Sequence, residues 1–237
     1  RQRQMCIRDR KLTDRHGRID FENVEALSQD LMDRKSIRTR FSIEIPHEAA
    51  CNAIYASMLA EVKGRGHEFE HKPDTKHHIE EAAAWLTDAL GKPGLMLLGK
   101  YGNGKTTLAR AIGNLVGYIT ERELGYDNKM IMTLYQAKKI CVLATRQDKQ
   151  KEYDLIHSHQ ILVIDDLGEE PKEVLIYGQP QTPVIDLLEH RYNNQLITIV
   201  TTNLGTKTLA EKYGGRIYDR MREMFKLIPF QNESFRK

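Results

Sequence analysis

Three groups of residues in this chain have the types and spacing that phosphoryl chemistry needs. The first lies at 94–107, GLMLLGKYGNGKTT, where an apolar run at 95–98 delivers the chain to Gly99-Lys100-Tyr101-Gly102-Asn103-Gly104-Lys105-Thr106. That octapeptide fits G-x4-G-K-S/T, a loop that cradles phosphates. Gly99, Gly102 and Gly104 free the backbone to turn its N–H groups toward phosphate oxygens. A helix beginning near Gly104 adds the positive end of its dipole. Lys105 is then placed to reach the β- and γ-phosphates of ATP, and the Thr106 hydroxyl to ligate Mg2+. Lys100, Tyr101, Asn103 and Thr107 complete the expected nucleotide-contacting set. A glycine-rich turn with a solvated Lys105 would leave the strand before it and the helix after it unexplained.

The second group is Asp165-Asp166, at the end of the apolar run 161–164. Ligands of parallel α/β sheets bind at the carboxyl ends of the strands. There Asp165 is suited to hold Mg2+, and Asp166 to orient or deprotonate the water that attacks the γ-phosphate. Asn203, closing the run LITIVTTN, would sit at the same edge, where an amide can bond both the attacking water and the γ-phosphate; the plainer reading is a turn-forming Asn. The third group is the segment 213–225, YGGRIYDRMREMF, which carries Arg216, Arg220 and Arg222. Arg216 and Arg220 are i, i+4 neighbours on one helical face. An arginine offered by a neighbouring subunit accelerates hydrolysis. A solvated helix paired through Asp219 and Glu223 accounts for the same pattern.

The elements that must position these groups alternate between two periods. Strands are expected at 95–98, 130–134, 161–164 and 196–200, with a fifth at 225–228. Helices are expected at 106–116, 137–145, from Pro183, at 209–213 and at 216–224. The continuous apolar strands suit burial on both faces, so the reading is an α/β fold, a parallel sheet flanked by helices. Upstream, 79–90 is a strong helix closed by Gly91 and Pro93, with Trp85 and Leu86 expected over the sheet edge. Helical spacing also marks 21–32 through Phe21, Val24, Leu27 and Leu31. It marks 47–62 through Ala50, Ile54, Met58 and Leu59. These suggest a small helical N-terminal module at 11–62, a polar linker at 63–78 and an ATPase domain at 79–237. Packing on the chain's own core is the commoner fate of such helices than docking a partner. His67, His71, His77 and His78 cluster near the linker at loop-like spacing and without cysteines, which argues against a metal site.

Composition sets wider bounds. The 237 residues, 40% hydrophobic and 29% charged, suit one sizeable α/β domain with a small extension. A net charge of +3 permits a nucleic-acid partner without requiring one. Residues 1–40 hold an excess of Lys and Arg that reads as a basic arm or a solvated tail. Residues 1–10 have the look of a non-native tail. Scattered Cys6, Cys51 and Cys141 and the lack of a long apolar run point to a cytoplasmic protein that does not enter a membrane.

GKYGNGKTTLARAI, ILVIDDLGEEP, TIVTTNL and YGGRIYDRMREMF, in this order and at these separations, resemble the AAA+ ATPases of the DnaC/DnaI helicase-loader group, which are related to the IstB transposition ATPases. The resemblance covers residues 79–237 and implies a P-loop NTPase fold of the AAA+/ASCE type. It implies Walker A at Lys105 and Thr106, Walker B at Asp165 with Asp166 as catalytic acid, and sensor 1 at Asn203. It further implies an arginine finger at Arg220, supplied in trans by self-association, and a second motif arginine at Arg216. Arg236, in the ending Asn232-Glu-Ser-Phe-Arg236, resembles a further nucleotide-sensing arginine. The implied partners are a hexameric replicative helicase and single-stranded DNA, the latter through basic residues such as Lys138, Lys139 and Arg146. Asp166 stands where many AAA+ proteins have Glu, one methylene longer, which implies slow turnover stimulated by DNA or a partner. The insertion at 169–183 resembles loader-like ATPases of phages and mobile elements, while residues 11–76 resemble no family. Two rivals remain at this point: an IstB-like transposition ATPase on duplex DNA, and a nucleotide-gated adaptor with negligible turnover. A small-molecule P-loop kinase fits poorly, because it gives Asn203 and the segment around Arg220 no role.

Overall fold

The computed structural model describes residues 23–33, 40–125, 127 and 130–235. The suspected non-native tail, Phe21, most of the basic arm and Arg236 lie outside the described residues. The chain divides into two compact units, Arg1–Thr39 and Arg40–Lys237. In the first, helix α1 (Val24–Asp33) is capped by the Asn23 carboxamide, which accepts the Ala26 N–H at 3.2 Å.

The second unit is built around a sheet of five parallel strands in the order β2-β3-β6-β1-β7. These are β1 (Gly94–Gly99), β2 (Met132–Gln136), β3 (Ile161–Leu167), β6 (Ile197–Thr202) and β7 (Phe225–Phe230). Side-chain alternation along each strand fills a core on both faces. Leu95, Leu97, Ile161, Val163, Ile197 and Ile199 point to one face, and Met96, Leu98, Leu162, Ile164 and Val200 to the other. Helices α2 (His47–Gly64), α3 (Pro73–Thr87) and α4 (Lys105–Leu124) cover the first face. Helices α5 (Ala137–Thr145), α6 (Gln150–Ser158), α7 (Pro183–Asn193), α8 (Thr206–Tyr213) and α9 (Gly215–Met224) cover the second. The α/β parallel fold expected from the apolar runs is the one found.

The boundaries fall elsewhere than the sequence suggested. Helix α2 belongs to the second unit: it buries Ala50, Ile54 and Met58, and Ser57 donates to the Ala111 carbonyl of α4 at 2.8 Å. Half of the expected linker is helix, because Pro73 starts α3 two turns earlier than Ile79. Trp85 and Leu86 are buried where expected, with α3 beside edge strand β7, held there by His78 stacked on Phe230. Helix α6 was not expected. Nor was the hairpin of β4 (Val174–Ile176) and β5 (Gln179–Gln181), whose two-residue turn uses the left-handed φ values of Tyr177 and Gly178, 51° and 79°. The hairpin occupies the insertion at 169–183.

Candidate nucleotide site

The loop after β1 folds as its glycines require. Gly102 and Gly104 adopt φ of 76° and 95°, and a Cβ at Gly99 would collide with the Phe230 carbonyl. Gly104 precedes α4, and no side chain caps that helix. The first-turn N–H groups, of Lys105, Thr106 and Thr107, are thus directed as an anion site. The Lys105 ammonium is buried against the loop, 2.7 Å from the Gly99 carbonyl, 2.6 Å from that of Lys100 and 3.0 Å from Asn103 Oδ1. Its fourth neighbour is Asn203 Oδ1 at 3.1 Å, which joins the loop to the end of β6.

The acids meet this loop from β3. Thr106 Oγ1 donates to Asp165 Oδ1 at 2.8 Å, so a hydroxyl and a buried carboxylate converge. Strand β3 slips register between Ile164 and Leu167, and Asp166 takes φ +56°. Such a bulge re-aims a side chain beside a site, and a left-handed Asp stores strain of about 1–3 kcal/mol. Asp166 is thereby brought to Asn203, whose Nδ2 donates to Asp166 Oδ1 at 3.3 Å. Burial, and then the Asp165 carboxylate, push the Asp166 carboxyl above its usual range, against the Asn203 bond.

Joined by the Thr201 hydroxyl of β6, which bonds Asp165 and the Asp166 N–H, the side chains of Lys105, Thr106, Asp165, Asp166 and Asn203 form one connected polar network across the carboxyl ends of β1, β6 and β3. Arg216 and Arg220 do not join it. Arg216 is exposed in the first turn of α9, and Arg220 is paired with Glu189 of α7. Of the expected DNA contacts, Lys138 lies 3.7 Å from Glu169, and Arg146 pairs with Asp148 at 2.9 Å. His71 packs with Tyr55 and Phe69.

Four residues around the site escaped the sequence reading. Thr201, fully buried in β6, donates to Asp165 Oδ1 at 2.6 Å and accepts the Asp166 N–H at 3.0 Å, so one hydroxyl sets both acids. Asn232 donates to the Asn103 carbonyl at 3.2 Å, and the Phe235 N–H to the Gly102 carbonyl at 2.8 Å. Lys72 Nζ stands 4.3 Å above the Phe235 ring, and that ring lies against Gly104. The position of Thr201 was legible in principle, since it lies two residues before Asn203 with its side chain facing β3.

The five-stranded parallel sheet flanked by helices, with its glycine loop after β1, is an α/β fold that matches the P-loop AAA+ architecture. No family model and no curated protein matches the chain. Among solved structures it is similar to the DnaC helicase loader, at 22% identity over 69% of this chain and 94% of that one, TM-score 0.52. It is similar to DnaI at 20% identity over 84% and 97%, TM-score 0.54. It is also similar to DnaA from Aquifex aeolicus bound to AMPPCP, at 18% identity over 70% of this chain, TM-score 0.50, spanning 49% of the longer DnaA chain. At these identities the likeness is one of fold.

Proposed function

We propose that this chain binds ATP with Mg2+ and hydrolyses it at a subunit interface, and that it loads a hexameric replicative helicase onto single-stranded DNA in the cytoplasm. The observation that carries the reading is the network itself, in which Lys105, Thr106, Asp165, Asp166 and Asn203 meet at the edge where ligands of such sheets bind. The donor set suits Mg2+. One carboxylate and one hydroxyl are hard oxygen donors, and this ion takes its remaining ligands from water and phosphate. No group of three His, Cys, Asp or Glu that could hold a metal occurs among the described residues. Bound there, Mg2+ would neutralise charge on the transferred phosphoryl group.

The chain's own residues divide the remaining work. Lys105 holds the outer phosphates, and Asn203 orients the attacking water against the γ-phosphate. Asp166, its carboxyl raised by burial, accepts the proton that the water gives up. Arg220 is 41% exposed at its side chain and outside its own chain's network, which suits delivery to a neighbour's γ-phosphate. Val24, Leu31 and Met32 of α1 are exposed apolar residues that a helicase could cover. The partner-holding part is accordingly assigned to the residues before Arg40. No described helix is long and apolar enough to cross a membrane.

The test is the ATPase rate per subunit against protein concentration, without DNA, with single strands and with duplex. A rate that climbs with concentration and with single strands is expected. Stimulation by duplex alone would favour a transposition ATPase, and a flat, near-zero rate despite tight ATP binding a nucleotide-gated adaptor.

A further inference from the structure

The turn that follows Asp166 is held from several sides. The Gly168 N–H donates to Glu170 Oε2 at 2.7 Å, and the Glu169 N–H to the Asp166 carbonyl at 3.1 Å. Lys212, reaching over from α8, donates to the carbonyls of Gly168 and Glu170 at 2.7 and 2.6 Å. Glu170 is itself buried and takes the Tyr213 hydroxyl on its other oxygen. Charge-assisted bonds of this kind are strong ones. Glu169 therefore projects from a fixed post.

Each oxygen of Glu169 is engaged by a different element. Oε1 accepts the Tyr101 hydroxyl at 2.9 Å, and Oε2 lies 3.7 Å from Lys138 Nζ at the start of α5. The sheet order gives the first contact its meaning. Tyr101 follows β1 and Glu169 follows β3, with β6 between them. Two strand spacings, about 10 Å, separate the outer pair. The bridge must therefore pass over the end of β6, where Lys105, Asn203 and Asp166 meet. The bond to Glu169, and then the Glu169 and Asp166 charges, push the Tyr101 hydroxyl above its usual range. With 61% of Tyr101 exposed, the hydroxyl and not packing keeps it there.

We propose that Tyr101 and Glu169, steadied by Lys138, form a latch across the phosphate end of the cleft that slows nucleotide exchange. The latch rests on the ATP-binding part of the proposed function and on nothing concerning DNA or helicase. Phosphates that pass between the loops after β1 and β3 must break the bridge. One such hydrogen bond retards release by about threefold to tenfold. Tyr101 and Glu169 are positioning residues, because they act through the shape of the cleft mouth.

The test uses the full chain loaded with methylanthraniloyl-ADP and Mg2+, chased with excess ADP in a stopped-flow instrument. Tyr101→Phe and Glu169→Gln should each raise the release rate by about threefold to tenfold, with the double variant no faster than the faster single one. Lys138→Ala should fall between these and the wild type. The melting temperature of Tyr101→Phe should match the wild type, which separates loss of the latch from loss of folding. Unchanged release in Tyr101→Phe, or a double variant equal to the product of the singles, would overturn the latch. A wild-type chain that takes up no analogue would instead overturn the ATP-binding reading beneath it.

Discussion

Replacing Asn203 by Asp keeps the shape of the side chain and reverses its chemistry. The carboxamide now accepts from Lys105 at 3.1 Å and donates to Asp166 at 3.3 Å. At about 4 Å and an effective dielectric constant near 20, two unit charges interact by about 4 kcal/mol. The new carboxylate gains that from Lys105 and loses a similar amount to Asp166, so the fold should survive. What does not cancel is the lost donor and the negative charge set where the proposed function puts the γ-phosphate. One missing donor at a developing charge costs about 100-fold to 1,000-fold in turnover. In a coupled ATPase assay kcat of Asn203→Asp should fall by at least about 100-fold. In nucleotide titrations ATP should weaken by about tenfold or more, as one lost charge-assisted bond implies, and ADP by about twofold at most. Equal weakening of ATP and ADP, or near-normal turnover, would refute the placement of this amide at the terminal phosphate.

Three further perturbations probe the frame of the site. Thr201→Val removes the hydroxyl that bonds both acids, so turnover should drop about tenfold or more and the magnesium concentration for half-maximal rate should rise. Arg191, fully buried, donates to Thr198 Oγ1 and to the carbonyls of His159 and Ile197 at 2.8, 2.7 and 2.7 Å, and burial lowers its pKa to about 9. Arg191→Met leaves the buried Ile197 carbonyl and the half-buried His159 carbonyl without this donor, at about 1–3 kcal/mol each, partly offset by relief of the buried charge. Urea unfolding should therefore show a loss of about 2–4 kcal/mol, and a gain in stability would mean that the charge's burial dominates. Burial raises the Cys141 thiol from 9.0 to about 11. The neutral form is favoured in the fold, so this stability is present below pH 9 and lost as pH rises toward 11, by about 2–3 kcal/mol. Cys141→Ala should flatten that alkaline limb in pH-dependent melts.

The sequence carried the ends of the apolar strands well, because Leu95, Ile161 and Ile197 begin runs that only a strand buried on both faces explains. It also marked Asp165 and Asn203 at the ends of such runs and Lys105 in the glycine loop that follows one, and the fold brings the three side chains to one edge. It did not carry the bulge at Asp166, which depends on how β3 pairs with β6 and has no signature in the residues alone. Helix α6 was hidden by its polarity, with Ile156 its one fully buried residue. The assignment of α2 to the N-terminal module failed for a different reason. An apolar stripe through Ala50, Ile54 and Met58 says that a helix buries one face, but not which core receives it. Glu169 and Tyr101 are separated by 68 residues, and nothing but the sheet order could have joined them.

The segment from Asn232 to Phe235 has a practical consequence. Because the Phe235 N–H is bonded to the Gly102 carbonyl and the Asn232 carboxamide to the Asn103 carbonyl, the last described residues serve as a second wall for the phosphate loop. Anything attached close behind Phe235, such as an affinity handle, a fluorescent protein or a surface linker, pulls directly on the backbone of the glycine loop at Gly102 and Asn103. Labels for binding studies therefore belong elsewhere, and the exposed turn at Tyr177-Gly178 offers an attachment point outside the phosphate loop.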